Sequence, residues 1–352
     1  MTARPRQTTA HLIDDTALGG VTRMLDALIP ALCHDRHVRI QVKPGSLVAP
    51  SMSGIDAVVM HSTVAWSKMP LLASLRARMG RRPIVIVEHS YTAALERELV
   101  TKPARFRRML RLAYRFADRV VAVSEGQATW MRSAQLLPPS KLVVIPPVSA
   151  CASLATLPLP QKRALSADNP LRLGACGRFS QQKGFEHLLE AMRRLQNIPV
   201  HLTLAGYGPG ETALRPQSAD LSNVEITGPF NDPAAFLGTV DAVVMPSRWE
   251  AYGLLAMEVR LAGRALIVTD VDGLPEQVRP ARGYVVQPND ADALADAIKA
   301  LSTRDLAAMG ADARASARHH FDDSLAAWSK LLSELTQPNA VSFERPTPRY
   351  AT

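Results

Sequence analysis

Short apolar runs alternate along this chain with longer stretches whose apolar residues recur every three or four positions. In the first half, runs at 8–13, 38–42, 55–60, 84–88, 120–123 and 142–145 have the length and composition of buried strands. Between the first two, Val21, Met24, Leu25, Leu28, Ile29 and Leu32 share one face of a helix. The second half repeats the rhythm, with strands at 171–176, 200–205, 224–226, 242–245, 265–269 and 283–286. Helical spacing returns at Phe185, Leu188, Leu189, Met192 and Leu195, over 291–301, and over 324–335. Strands and helices in alternation predict an α/β, doubly wound parallel sheet in each half, with ligands beyond the carboxyl ends of the strands. Residues 146–170, rich in proline, alanine and serine and without periodicity, read as a linker. A length of 352 residues suits two such units.

The stretch 246–278 is the densest in chemistry. A polar turn with Glu250 follows the strand at 242–245; Gly253 then opens an apolar helix holding Glu258 one turn inside, and Gly263 stands where that helix should stop. A helix start presents unpaired N–H groups and a partial positive charge, which favours a phosphate. The carboxylates suit hydroxyl-rich parts of the same ligand, such as a ribose and a sugar, so a nucleotide sugar fits. Upstream, Gly177-Arg178 and Lys183-Gly184 bracket a polar loop at a strand end. An arginine and a lysine five apart there form a phosphate clamp, or stand as two surface cations. Gly19-Gly20, ahead of the first helix, either lets an anion approach the backbone or only turns the chain. The turn at 206–210, GYGPG, has the wrong spacing for a dinucleotide fingerprint, and the residues behind it begin poorly as a helix. It reads as a close-approach turn beside a nucleotide. His61-Ser62, His89-Ser90 and Ser124-Glu125 fall at further strand ends. His89 either donates to a sugar hydroxyl or leaving-group oxygen, or is a satisfied structural imidazole.

Charge adds one feature. The net charge is +9, and residues 1–160 hold 21 of the 41 basic side chains but 10 of the 32 acidic ones. Within them, 102–119 sets Phe106, Met109, Leu110, Ala113 and Phe116 on one helical face and Arg105, Arg108, Arg111, Arg115 and Arg119 largely elsewhere. With Arg76, Arg78, Arg81 and Arg82 upstream, this helix is a candidate for an anionic membrane surface, or else a packed helix with solvated arginines. Nucleic acid is disfavoured, because no stacking aromatics interleave with the basic run. Cys33, Cys151 and Cys176 lack disulfide or zinc spacing and point to a reducing compartment. The first residues lack the apolar core of a signal peptide, and no apolar run reaches roughly 18 residues. The expected location is the cytoplasm, with the inner face of the cell membrane as a peripheral option.

Residues 177–184, GRFSQQKG, the GYGPG turn, EAYGLLAME at 250–258 and DGLPEQV at 272–278 occur in the order and at the strand ends seen in glycosyltransferase family four. The second half resembles that family closely, the first half loosely, through Gly19-Gly20, His89 and Ser124-Glu125. The resemblance implies the GT-B fold, two Rossmann-like domains facing across a cleft. Here 1–150 would be the acceptor-side domain, 151–170 the linker and 171–320 the nucleotide-sugar domain. Residues 321–336 would form a closing helix returning to the first domain, and 337–352 a loose tail. It also implies a retaining hexosyltransferase that moves a sugar from a UDP- or GDP-sugar to a glycan or lipid-linked acceptor in polysaccharide or cell-envelope biosynthesis. No metal and no cofactor beyond the donor would be needed.

By the same resemblance, Arg178 and Lys183 would hold the donor diphosphate and Glu250 would lie beside the donor sugar. Glu258 would bind the ribose, and the backbone of Gly253, Leu254 and Leu255 would face phosphate and sugar. Gly19 and Gly20 would close from the opposite domain, Gly177 and Gly208 would line the donor side, and His89 would sit near the transferred sugar. The chain departs from the family at Pro146-Pro147-Val148, where an asparagine-glycine pair is frequent, and at Gly263-Arg264, where glycine-proline is frequent. A sugar-nucleotide epimerase and a sugar-nucleotide-binding protein without catalysis remain alternatives. A nicotinamide dehydrogenase is disfavoured by the glycine spacing.

Overall fold

A computed structural model describes residues 6–14, 19–149, 152–161, 164–230, 232–278 and 283–336. Cys151, parts of the expected linker and the expected loose tail at 337–352 lie outside the described residues. The first half runs β1 (Thr8–Ile13), α1 (Gly20–Ala31), β2 (Arg36–Gln41), β3 (Ala57–Met60), α2 (Met69–Met79), β4 (Ile84–Glu88), α3 (Ala93–Leu99), α4 (Pro103–Arg115), β5 (Arg119–Ala122), α5 (Glu125–Ser133) and β6 (Leu142–Val144). A short α6 (Ala152–Ala155) leads to β7 (Leu171–Arg178), α7 (Phe185–Arg194), β8 (Val200–Tyr207), α8 (Glu211–Ser218), β9 (Val224–Thr227), α9 (Pro233–Thr239) and β10 (Ala242–Met245). The chain closes with α10 (Leu254–Leu261), β11 (Ala265–Thr269), α11 (Leu274–Val278), β12 (Tyr284–Val286), α12 (Ala291–Leu301), α13 (Leu306–Ala317) and α14 (His320–Thr336).

Two six-stranded sheets result, ordered β2-β1-β3-β4-β5-β6 and β12-β11-β10-β7-β8-β9, with parallel pairing throughout. Central strands β3, β4, β10 and β11 are buried at every residue, because helices cover both faces of a parallel sheet. Each order reverses once, between β1 and β3 in the first sheet and between β7 and β10 in the second. Such a switch point leaves a crevice at the carboxyl ends of the two diverging strands. Arg178 ends β7, and the turn leading to Glu250 leaves β10.

Three expectations change. Gly177-Arg178 and Gly206-Tyr207 lie in paired strand, since the β7–β8 ladder continues through Gly177↔Gly206 and Arg178↔Tyr207. The GYGPG turn is followed directly by α8, against the expected poor start. Glu211 complements its N-terminal dipole and pairs with Arg215 one turn on at 2.7 Å. The linker is partly helical and anchored: Leu154 is buried against the second half, and Arg264 donates to Pro158 O at 2.8 Å. That explains the departure at Gly263-Arg264, for Arg264 also donates to Leu237 O at 2.8 Å and ties α9 to the linker.

The closing helix α14 packs on the first sheet. Its Trp328, Leu331 and Leu332 join Ile13, Leu25, Leu28 and Val59 in one core, and Gln7 Nε2 donates to Thr336 O at 3.1 Å. The same core takes in Ala251, Tyr252 and Met257, so the two halves meet through shared apolar contact.

Candidate active site

The loop after β7 is built to hold Arg178 out. Phe179 is fully buried, its N–H donates to Tyr207 O at 2.7 Å, and Gly210 N–H donates back to Phe179 O at 2.9 Å. The turn containing Gly208 therefore braces the chain just past Arg178. Arg178 itself is exposed, and its side chain makes no hydrogen bond or ion pair among the described residues. Five residues on, Lys183 Nζ lies 2.5 Å from Glu250 Oε2, with both side chains mostly buried. Gln182 Nε2 donates to Trp249 O at 3.1 Å and Arg248 N–H to Gln182 O at 2.8 Å, which knits the two loops into one wall.

Gly253 is the N-cap of α10, in the left-handed region at φ +79°. A β-carbon there would be 2.6 Å from Leu274 Cδ2 and 3.2 Å from Glu250 Cγ, so only glycine fits both the angle and the space. The first N–H groups of α10, from Leu254 and Leu255, have no intrahelical acceptor by helix geometry. Opposite them stands the start of α1, where a β-carbon on Gly20 would be 4.0 Å from Leu254 Cδ2. The starts of α1 and α10 thus come together from the two halves, and Lys183, paired with Glu250 beside Gly253, adds its charge to their partial positive charges. Residues 15–18 of the loop before Gly19 lie outside the described residues.

Glu258 points back into this region but is only 1% exposed. Its Oε1 accepts from Ser149 Oγ at 2.8 Å and pairs with Arg23 Nη1 of α1 at 3.2 Å. Cys176 lies beneath; burial, and then the charge of Glu258, push its thiol up to about 12. His89, at the end of β4, is half-buried, its Nε2 3.1 Å from His61 Nδ1. Burial pulls its imidazole down to about 4, so the ring is neutral at pH 7.

Several groups in the seam between the halves escaped the sequence reading. Asp272 accepts from Ala94 N–H at 3.0 Å through Oδ1 and from Glu250 N–H at 3.2 Å through Oδ2, joining the first turn of α3 to the Glu250 turn. Glu276 Oε2 accepts the first N–H groups of α5, from Glu125 at 2.9 Å and Gly126 at 3.2 Å. At that strand end, Ser124 caps α5 and Glu125 pairs with Arg132. Asp14 pairs with Lys68 at 2.5 Å beside the β1 end. Asp272 and Glu276 stand in the quoted DGLPEQV run, which was a legible pointer; Arg23 and Ser149 carried no local signal.

The family model for Glycosyltransferase Family 4 matches residues 47–148, and that for Glycosyl transferases group 1 matches residues 170–304, together more than half of the chain. The chain belongs to glycosyltransferase family 4. Within this family 4 chain, 156 residues are 32% identical to a GDP-mannose-dependent monoacylated alpha-(1-6)-phosphatidylinositol monomannoside mannosyltransferase of Corynebacterium glutamicum, 40% of this chain and 41% of that protein. Another 34% identity runs over 137 residues of the lipopolysaccharide core biosynthesis glycosyltransferase LpsE of Rhizobium meliloti, 38% of this chain and 39% of that one. Glycogen synthase 2 of Bradyrhizobium diazoefficiens is 31% identical over 150 residues, 39% of this chain and 31% of that protein. The matched segment thus spans less than half the length of these relatives.

Solved structures share the whole architecture. A glycosyltransferase from Rickettsia africae superposes with a TM-score of 0.75 at 18% identity, covering 96% of this chain and 100% of the other. HepE of Anabaena in complex with UDP-glucose gives 0.71 at 18% identity, covering 94% and 100%. The fold of the family 4 chain is GT-B.

Proposed function

We propose that this family 4 protein is a retaining glycosyltransferase that moves a hexose from a UDP- or GDP-sugar to a glycan or lipid-linked acceptor. What supports the reading is the meeting of the α1 and α10 starts across the seam beside Lys183, with Arg178 unpartnered among the described residues at the end of β7. Cleaving a sugar–phosphate bond builds negative charge on the departing diphosphate, and fixed positive groups act where that charge develops. Lys183 would exchange Glu250 for phosphate oxygen, freeing the Glu250 carboxylate to accept from donor-sugar hydroxyls. Glu258 would take the ribose hydroxyls as Arg23 turns to the diphosphate. A departing phosphate oxygen would accept the acceptor's proton, so the chemistry calls for no metal.

Names of related proteins support the donor class: HepE was solved with UDP-glucose, and the Corynebacterium relative is described as GDP-mannose-dependent. A lipid-linked acceptor agrees with the outer face of α4. Its Met109, Leu110, Ala113 and Tyr114 are buried in the core, while Arg105, Arg108 and Arg115 face solvent, the first two beside Trp66, 40% exposed. The apolar face is thus already taken, and membrane attraction would be electrostatic. Among the described residues no helix is long and apolar enough to cross a membrane.

The test is a thermal-shift panel of UDP-, GDP-, ADP- and TDP-sugars. A donor at a hundred times its Kd should stabilise the fold by about 2.7 kcal/mol. No shift with any member at millimolar concentration, together with no release of nucleoside diphosphate, would sink the proposal.

A further inference from the structure

Four histidines form an unbroken hydrogen-bonded file across the first sheet. His37 Nδ1 lies 3.0 Å from His11 Nε2, His11 Nδ1 3.1 Å from His61 Nε2, and His61 Nδ1 3.1 Å from His89 Nε2. They stand on β2, on β1, just past β3 and just past β4, four neighbours in the sheet. Each step moves one strand over and two residues along. His37 pairs with Thr9, two before His11, and His11 pairs with Val59, two before His61. Two residues restore the same face of a strand, and ring centroids 5.3, 5.4 and 5.3 Å apart follow the strand spacing of about 4.8 Å. The file runs diagonally from the edge strand to the candidate site, on the sheet face that carries Ile13, Val59 and Val87.

Its middle is dry: His11 is 0% and His61 5% exposed. Burial, with help from neighbouring charge, pulls His11 down to about 3, and it lowers His61 and His37 as well. All four rings are therefore neutral at pH 7. A neutral imidazole has one N–H and one lone pair. In His11 and His61 both nitrogens are engaged, so each ring donates on one side and accepts on the other. The three hydrogen bonds must then point the same way, and all four rings must share one tautomer, all Nε2–H or all Nδ1–H. In the first state the outer nitrogen of His89, Nδ1, is an acceptor; in the second it is a donor.

We propose that this file is a tautomer relay, in which His37, His11 and His61 are positioning residues that set whether His89 offers a hydrogen-bond donor or an acceptor to a sugar. That role rests on the sugar-facing place proposed above for His89. Reversal balances without charge: a hydrogen enters one terminal nitrogen, each ring hands its own to the next, and one leaves the far terminus.

The test is long-range proton–nitrogen NMR of the whole protein with nitrogen-labelled histidine at pH 7.5. The expected spectrum shows one common tautomer for His37, His11, His61 and His89. In His37→Phe, which removes one hydrogen bond from each state but orphans the buried His11 N–H in one and only its lone pair in the other, the His89 tautomer ratio should move severalfold toward Nδ1–H, because an orphaned buried donor is the costlier of the two. His37→Gln, which keeps an amide partner, should restore it. Mixed tautomers among the four wild-type rings, or a folded His37→Phe protein with unchanged His89 nitrogen signals, would overturn the relay. If His37→Phe does not fold, the wild-type spectrum decides alone. The spectrum requires no turnover, so a common tautomer with no response of His89 to any sugar nucleotide would retain the relay and remove the sugar-facing role.

Discussion

Arg178 and Lys183 separate binding chemistry from architecture, because one is free and the other is engaged. The Arg178 side chain is exposed and unpartnered among the described residues, so Arg178→Ala should change the unfolding free energy by less than about 0.5 kcal/mol. Its proposed work is done on the departing diphosphate, where losing one preorganised donor costs about 2–4 kcal/mol, or about 30- to 900-fold in kcat/KM. Lys183 is different, since its ammonium sits 2.5 Å from Glu250 and both are mostly buried. Lys183→Ala should show a comparable catalytic loss and also destabilise the protein by about 1–3 kcal/mol, because Glu250 is left with an unmet partner. The assay is nucleoside diphosphate release with the donor found by thermal shift, alongside urea melts of both variants. Since both cations would act on the same diphosphate, the double variant should lose less than the product of the single losses. An Arg178→Ala protein within threefold of wild-type kcat/KM, or one whose melt falls as far as its rate, would refute the reasoning.

The remaining predictions draw on the seam, the histidine file and α4. A β-carbon at Gly126 would sit 2.0 Å from Asp272 O, so Gly126→Ala should hold the halves apart, read as a larger radius in small-angle scattering with both sheets still folded. Buried His11 and His61 have folded pKa values below the unfolded value of about 6.5, so the unfolded chain binds protons first as pH falls. Stability is complete above that value and should fall below it, approaching about 1.4 kcal/mol per pH unit for each ring. Glu88, Asp272 and Glu276, raised by burial, act in the opposite sense, so the histidine part is the difference in slope between wild type and His11→Gln in melts from pH 7 to pH 5. Replacing Arg105, Arg108 and Arg115 by glutamate should weaken binding to anionic vesicles without lowering the melting point. Arg111→Ala should lower it, because that guanidinium donates to the Ala134 and Gln135 carbonyls at 2.8 and 3.0 Å.

The sheets were legible because their central strands are buried on both sides and read as unbroken apolar runs. Helix α13 was not, since apart from Met309 its inward face is Gly310, Ala313 and Ala317, too small for an apolar stripe to stand out. At the site, Arg178, Lys183, Glu250 and the Gly253 helix start were readable because strand, loop and helix follow each other locally. The partners of Glu258 were not: Ser149 lies 109 residues away in the chain, and Arg23 comes from the other half. The histidine file needed the strand register. Its members are 26, 50 and 28 residues apart along the contacts His11–His37, His11–His61 and His61–His89, spacings that mean nothing until the strands are laid side by side.

Helix α14 follows both sheets in the chain yet completes the core that the first strand begins. A ribosome delivers β1 to β6 early, and domains generally fold as they emerge. Here the sheet face bearing Ile13, Val59 and Val121 waits for Trp328, Leu331 and Leu332 to arrive, and the Gln7–Thr336 hydrogen bond closes a loop of 329 residues. The nascent first half therefore carries an apolar face that α1 covers only in part until α14 emerges. Premature termination before residue 320 would leave that face open for good, making such fragments substrates for chaperones and proteases rather than half-active enzymes.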